Sequence, residues 1–126
     1  MTKYLSLEEV LYLHQEIVEK TGGKEGILDF GSLHASIERP KASFGGKDLY
    51  FDIFAKAAAL IHSLILNHPF ADGNKRTGLV AMIRFLEMNN ISFQAVSDEL
   101  LELVLNIENK TYSIKSLAFW IKKHST

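Results

Sequence analysis

The sequence of 126 residues contains no cysteine, so disulfides and thiolate chemistry are excluded. A reducing cytoplasm is compatible with this composition and is taken as the expected location. The formal net charge of -1 gives no electrostatic reason to expect nucleic acid or an anionic membrane as the main partner. The most apolar run, residues 57–66, is too short for a membrane span, and the N-terminal residues lack the apolar core of a signal peptide. The length predicts a single domain over residues 1–126.

One stretch, residues 68–78, concentrates polar residues between two apolar segments. It reads HPFADGNKRTG, with IFAKAAALIHSLIL before it at 53–66 and LVAMIRFL after it at 79–86. Helices that are apolar over most of their circumference belong in a core. The sequence therefore predicts a polar loop held between two buried helices, a placement typical of a functional site.

The backbone of this stretch predicts an anion site. Pro69 ends the first helix near residue 67 or 68, and Gly73 permits a turn before the second helix begins near Asn74. The free amides and positive dipole end of that second helix attract anions. Lys75 and Arg76 lie in its first turn, where cations oppose the dipole, and a bound polyanion would remove that conflict.

Three side chains complete the predicted site. His68 can act as a general base near neutral pH. Asp72 places a carboxylate beside the anion site, which suits a magnesium ion bridging it to phosphate oxygens. Phe70 is apolar and is expected to anchor the loop in the core.

Capping residues and apolar periodicity predict an all-α bundle around this loop. His14, beside the apolar face of the first helix, is expected to pack or to form a hydrogen bond within the fold. Phe119 and Trp120 are expected to complete the core, and residues 91–96 to form an extended connector. Six helices are expected. The first runs from the Ser6 capping box to Gly22, and the next three cover about 32–39, 53–67 and 74–88. The last two run from a Ser97 cap to about 109 and from a Ser113 cap to about 123.

The stretch from His68 to Arg76 resembles the motif of the Fic/Doc family, His-x-Phe-x-(Asp/Glu)-Gly-Asn-(Gly/Lys)-Arg, without a gap. Most Fic members carry glycine where this chain has Lys75, and a second arginine where it has Leu79. The lysine and the missing arginine resemble the death-on-curing (Doc) toxin branch. The resemblance covers most of the chain and implies the Fic fold, a helical bundle with the active-site loop between two central buried helices.

The Doc resemblance implies a toxin of a type II toxin–antitoxin system. Such a toxin would be an ATP-dependent protein kinase that transfers the γ-phosphate to a hydroxyl side chain of translation elongation factor Tu and so inhibits translation. ATP is then the substrate, Mg²⁺ the cofactor, and a cognate antitoxin and the target protein the partners. His68 would be the base and Asp72 the magnesium ligand. The implied nucleotide-binding residues are Gly73, Asn74, Lys75 and Arg76.

Residues 40–48, PKASFGGKD, form a turn-rich segment before the first central helix. In Fic proteins the equivalent segment is a flap that aligns the target peptide by strand addition. The resemblance therefore implies that Phe44, Gly45 and Gly46 contact the target. A plain surface loop is the other interpretation.

Two alternative functions stay open at this point. With glycine in place of Lys75, Fic enzymes transfer the AMP moiety, so this chain could be an adenylyltransferase that tolerates the lysine. It could also be a non-catalytic module that only engages an antitoxin, although a pure scaffold does not need His68, Asp72, Asn74 and Arg76 together. Hydrolytic metal chemistry finds no support, because the sequence has no His-Glu-x-x-His or similar ligand set.

Overall fold

The computed structural model describes all residues from 1 to 126 and shows the predicted all-α architecture. None of its helices has both the length and the apolar character that crossing a membrane requires. A single 3₁₀ turn covers Arg39–Lys41, and two short antiparallel strands, β1 (Ser43–Phe44) and β2 (Lys47–Asp48), form a hairpin. The helices are α1 (Leu7–Thr21), α2 (Phe30–Glu38), α3 (Ile53–Leu66), α4 (Asn74–Met88), α5 (Ser97–Glu108) and α6 (Ile114–Lys123).

Side-chain caps set most of the helix starts. The Ser6 hydroxyl accepts from the Glu9 amide while the Glu9 carboxylate accepts from the Ser6 amide, so the predicted capping box is confirmed. The predicted Ser97 cap is wrong. The N-cap of α5 is Val96, because the Glu99 carboxylate accepts a hydrogen bond from the Val96 amide and the helix starts one residue earlier than Ser97 indicates.

Helix α3 lies at the centre and packs against α2, α4, α5 and α6. Its apolar circumference is buried, as Ala57 shows with no exposed surface. Phe85 and Leu86 of α4 and Leu117 and Ile121 of α6 are also buried. Burial of each large apolar side chain stabilises the fold by about 1.5–3 kcal/mol. The two central helices of the sequence prediction are thus α3 and α4.

The expectation that Phe119 completes the core is wrong, since its side chain is 65% exposed. The buried positions of α6 are Leu117 and Ile121, one turn apart, and Phe119 lies between them on the opposite face. Trp120, in contrast, packs at the edge of the core and stacks on His124 with ring centroids 3.9 Å apart.

The hairpin turns at Gly45 and Gly46, whose φ angles of 59° and 80° are typical of a two-residue type I′ turn. Phe44 is 84% exposed, so the hairpin has no apolar cover. Its base is tied to α3, because the buried Lys56 ammonium donates to the carbonyl of Pro40 and to the carboxylate of Asp48 at 3.2 and 3.1 Å.

Candidate active site

Residues 67–73, here called the motif loop, join α3 to α4 and are fixed by the connector between α1 and α2. The amides of Leu28 and Asp29 donate to the Pro69 carbonyl, and the Ala71 amide donates to the Gly26 carbonyl, at 2.8 to 3.2 Å. His68 adopts a left-handed backbone conformation with φ 45°, which is uncommon outside glycine. The loop therefore presents its candidate base from a constrained backbone.

The Asn74 side chain clamps the loop onto α4. Its Oδ1 accepts from the Phe70 amide at 2.9 Å, and its Nδ2 donates to the Phe70 carbonyl at 3.0 Å. Phe70 itself is 1% exposed, so it lies in the core beneath the loop. Because the Asn74 side chain is engaged in this way, only its backbone amide is free for an anion.

His14 of α1 packs against the motif loop. The expectation that it packs and forms a hydrogen bond is confirmed, but the partners belong to the motif loop, 58 residues away at Asp72. Its Nε2 donates to the Asp72 carbonyl at 2.8 Å, and its ring stacks on Phe70 with centroids 3.7 Å apart and planes 8° from parallel. Sequence reasoning missed this role, because the spacing of His14 in α1 indicates only a residue near the apolar face.

The Asp72 carboxylate is held by two backbone amides. Oδ1 accepts from Gly73 at 2.9 Å, and Oδ2 accepts from Lys24 at 3.3 Å. Gly23 leaves room for this arrangement, since a Cβ there would lie 2.8 Å from Asp72 Oδ2. Gly22, with φ 71°, ends α1 as predicted, and the neighbouring Gly23 makes space for the carboxylate.

Asp72 fits the expected magnesium ion as a single ligand. Magnesium in nucleotide sites is bound by one or two carboxylates together with substrate phosphates and waters. No group of three or more histidine, aspartate or glutamate side chains gathers anywhere in the chain to hold a metal by itself. The remaining ligands would therefore have to come from the nucleotide and solvent.

The N-terminus of α4 presents three backbone amides that have no acceptor in the chain. Gly73, with φ 78°, precedes the helix, and its carbonyl accepts from the Thr77 amide, while the amides of Asn74, Lys75 and Arg76 have no acceptor in the chain. These groups border a cavity of about 450 Å³. The cavity is lined by Thr21, Gly23, His68, Ala71, Asp72, Gly73, Asn74, Lys75 and Arg76.

The two cations of the first turn differ in their partners. The Lys75 ammonium forms an ion pair with Glu108 of α5 at 3.0 Å, whereas Arg76 is exposed and has no carboxylate partner. Glu108 does not line the cavity, so the ammonium group of Lys75 is held by a group outside it. Nothing in the local sequence identifies Glu108 as this partner.

Residues 4–86 match the sequence model of the Fic/DOC family. The chain belongs to the Fic/DOC family. It is 41% identical over 98 residues to a Toxin Doc from Mycolicibacterium smegmatis, which covers 78% of this chain and 73% of that protein. It is 29% identical over 121 residues to a Protein kinase doc from Escherichia phage P1, which covers 96% and 94% of the two chains. The resemblance to the Doc branch is confirmed.

In this Fic/DOC chain the structure places six of the predicted site residues around one cavity: His68, Asp72, Gly73, Asn74, Lys75 and Arg76. Phe70 lies beneath them, and the hairpin residues Phe44, Gly45 and Gly46 do not line the cavity. The residues that sequence reasoning missed are His14 and Gly23, which lie against the motif loop, and Glu108, which pairs with Lys75 at the start of α4.

Proposed function

We propose that this Fic/DOC protein is the toxin of a type II toxin–antitoxin system and acts as an ATP-dependent protein kinase on a hydroxyl side chain of a target protein. The observation that carries the proposal is the cavity beside α4, where a candidate base, a carboxylate, two cations and three free amides meet. The relatives named Toxin Doc and Protein kinase doc support the same assignment.

The chain's own groups account for positioning and charge stabilisation in such a transfer. His68 takes the proton of the attacking hydroxyl as its oxygen bonds to the γ-phosphorus, and the bond to the bridging oxygen of ADP breaks. The free amides of α4 and the Arg76 guanidinium stabilise the negative charge on the phosphates. Asp72 would hold Mg²⁺, which supplies charge neutralisation to the phosphate oxygens when bound.

Lys75 is the residue on which the choice of phosphate depends. Glycine at this position leaves room for the nucleotide pose that presents the α-phosphate, and a lysine fills that space and adds charge. The chain also has Leu79 where AMP-transferring members have a second arginine. Both features support γ-phosphoryl transfer over AMP transfer.

The proposal includes the partners that a Doc toxin needs. A cognate antitoxin would cover the site, the hairpin of residues 43–48 would align the target segment by strand addition, and translation elongation factor Tu would be the target in the cytoplasm. Strand addition requires an exposed edge, and the hairpin is exposed along both strands.

Dual-label transfer tests the proposal. The purified protein is incubated with magnesium and bacterial lysate, using ATP labelled either at the α- or at the γ-phosphate. We expect only the γ label to reach protein, and His68→Ala to abolish this transfer. Transfer of the α label would establish an adenylyltransferase, and no transfer of either label would favour the non-catalytic module.

Lys75→Gly separates nucleotide orientation from helix stability. We expect it to weaken γ-transfer and, together with Leu79→Arg, to open α-transfer. Lys115→Gly is the matched control, because Lys115 is also the second residue of an exposed helix start, in α6. Unchanged γ-transfer in Lys75→Gly would show that the lysine does not determine which phosphate is transferred.

A further inference from the structure

A second cavity lies at the C-terminal end of α3 and is lined mostly by polar residues. It has a volume of about 540 Å³ and is bordered by α2, the 3₁₀ turn and α3. Arg39, His62, Ser63 and Asn67 contribute its polar groups, with Glu38 at its edge. None of these residues has a part in the proposed transfer reaction. We call it the Arg39 cavity.

Arg39 is held in a fixed position by neutral groups only. Its Nε donates to the Tyr50 hydroxyl at 2.9 Å, and its Nη1 donates to Ser63 Oγ at 2.8 Å and to His62 Nδ1 at 2.9 Å. Its Nη2 forms no hydrogen bond in the chain, and no carboxylate pairs with the guanidinium. A half-buried arginine without an acidic partner has unused capacity to bind an anion.

His62 adds a second donor. Because an arginine only donates, His62 Nδ1 must accept, and the ring proton is on Nε2. Burial, and then the positive charge of Arg39, lower the pKa of His62, so the ring is neutral at pH 7. Its Nε2–H has no acceptor in the chain. Arg39 and His62 therefore line the same cavity, and each has an N–H donor, on Nη2 and on Nε2, that forms no hydrogen bond within the chain.

We propose that the Arg39 cavity binds an acidic side chain of the target protein. The charge balance favours a carboxylate. The cavity offers one full positive charge, that of Arg39, and the Glu38 carboxylate at its edge is paired with Lys41 at 3.0 Å. The guanidinium charge matches a monoanionic carboxylate, which can accept from the free Nη2 of Arg39 and from the His62 Nε2–H. A phosphate dianion would leave one negative charge unmatched beside Glu38.

The position of the cavity connects it to the target segment, and this step depends on the proposed function. Asn67 lines the Arg39 cavity, and the next residue, His68, lines the catalytic cavity. Arg39 precedes the hairpin and its partner Tyr50 follows it. A segment aligned on the hairpin with its hydroxyl at His68 would therefore bring a neighbouring side chain to Arg39.

Acetate titration tests the binding site without any transfer reaction. The His62 ring resonances are followed by NMR while sodium acetate replaces sodium chloride at constant ionic strength. We expect a saturable shift with a Kd on the order of 10 mM and a higher His62 pKa in the acetate-bound protein. A shift that does not saturate, or one that chloride reproduces, would overturn the proposal.

Variants assign the effect to Arg39. Arg39→Gln should lose the saturable shift. Arg39→Lys keeps the charge but loses the planar guanidinium that Tyr50, Ser63 and His62 hold in place, and should weaken acetate binding at least about tenfold. Arg84→Gln, an exposed arginine on α4, is the matched control and should behave as wild type. If Arg39→Gln does not fold, Arg39→Lys carries the comparison, and wild-type acetate affinity in both arginine variants contradicts the assignment.

A kinetic arm tests the target side chain. For the lysate protein that accepts the γ label, Arg39→Lys should raise KM about tenfold and leave kcat within a factor of two, because Arg39 touches neither ATP nor the accepting hydroxyl. A fall in kcat at constant KM would contradict the proposal. If wild type labels no protein, the transferase proposal fails, and the acetate titration alone decides whether the anion site exists.

Discussion

Lys75 and Glu108 form an ion pair of 3.0 Å between the second residue of α4 and the last residue of α5. Each charge is unfavourable for its own helix, since a cation lies at an N-terminus and a carboxylate at a C-terminus. The pair relieves both conflicts. With side chains 57% and 28% exposed, it stabilises the fold by at most about 1 kcal/mol.

Removal of Glu108 should strengthen nucleotide binding. Glu108→Gln releases the Lys75 ammonium and removes a negative charge beside the anion site, so we expect ATP affinity to rise about two- to fivefold. Isothermal titration calorimetry measures this, with Glu102→Gln, an exposed glutamate on the same helix, as the control. Weaker binding would mean that Glu108 orients Lys75 toward the phosphates instead of competing with them.

His68→Ala should reduce transfer by about 10²–10⁴-fold, the usual contribution of a positioned base. Because His68 is exposed and forms no hydrogen bond, ATP binding should persist. Its φ of 45° disfavours alanine, so His68→Asn, which tolerates that conformation, separates loss of the base from strain of the loop. His34→Ala, an exposed histidine on α2, is the control, and turnover of either His68 variant within twofold of wild type would remove His68 as the base.

Asp72→Asn should remove most of the magnesium dependence of ATP binding, because a neutral amide is a poor ligand for a hard cation. The amide oxygen can still accept from Gly73, and only the longer 3.3 Å bond from the Lys24 amide is lost, so the loop should keep most of its shape. Calorimetry with and without magnesium measures the change, and Asp98→Asn, exposed on α5, is the control. A magnesium dependence equal to that of wild type would assign Asp72 to the loop alone.

His14→Phe should impair turnover more than it impairs folding. Phenylalanine keeps the stacked contact with Phe70 but removes the donor to the Asp72 carbonyl, a loss of about 1 kcal/mol. We expect kcat to fall about tenfold or more, because the carboxylate and the amides of α4 are then less fixed. Single-turnover rates and urea unfolding give the two readouts, with His34→Phe as the control. Wild-type kcat in a destabilised His14→Phe would show a role in packing only.

The fall in stability as pH rises through neutrality should depend on His124. Both ring nitrogens face acceptors, Nδ1 the Trp120 carbonyl at 2.8 Å and Nε2 the Glu99 carboxylate at 3.0 Å, so the fold favours the imidazolium over the neutral ring. The bond to Trp120, and then the one to Glu99, raise the pKa of His124 above 6.5. The Val96 amide, and then His124, lower the pKa of Glu99 below 4.5.

The direction in which stability changes with pH follows from these two pKa shifts. The His124 contribution is fully present below the unfolded pKa near 6.5 and is lost as pH rises through the folded pKa, while the Glu99 contribution is lost as pH falls through its lowered pKa. Urea midpoints measured from pH 5.5 to about 8.5 should therefore fall less in His124→Gln than in wild type. His62 contributes equally to both proteins and cancels. Identical pH profiles would contradict the assignment.

Much of the fold could be predicted because its signals are local. The Ser6 capping box, the Ser113 cap of α6 and the Gly22 terminus each depend on residues within a few positions of one another. The errors came where two local patterns competed. Ser97 is a common capping residue, but the Glu99 carboxylate accepts from the Val96 amide and makes Val96 the cap. For Phe119, aromatic character alone does not indicate which face of α6 the side chain occupies.

The sequence by itself determined the motif loop and the start of α4, because a proline, a glycine with positive φ and a helix N-terminus arrange neighbouring residues through backbone geometry alone. Only the tertiary structure decided which distant groups support that loop. His14 of α1 and Gly23 of the following connector lie against Asp72. Glu108 of α5 pairs with Lys75 of α4, and Arg39 meets His62 across two elements. Such pairs depend on how whole helices pack against one another, and the spacing of residues along a single element does not specify that packing.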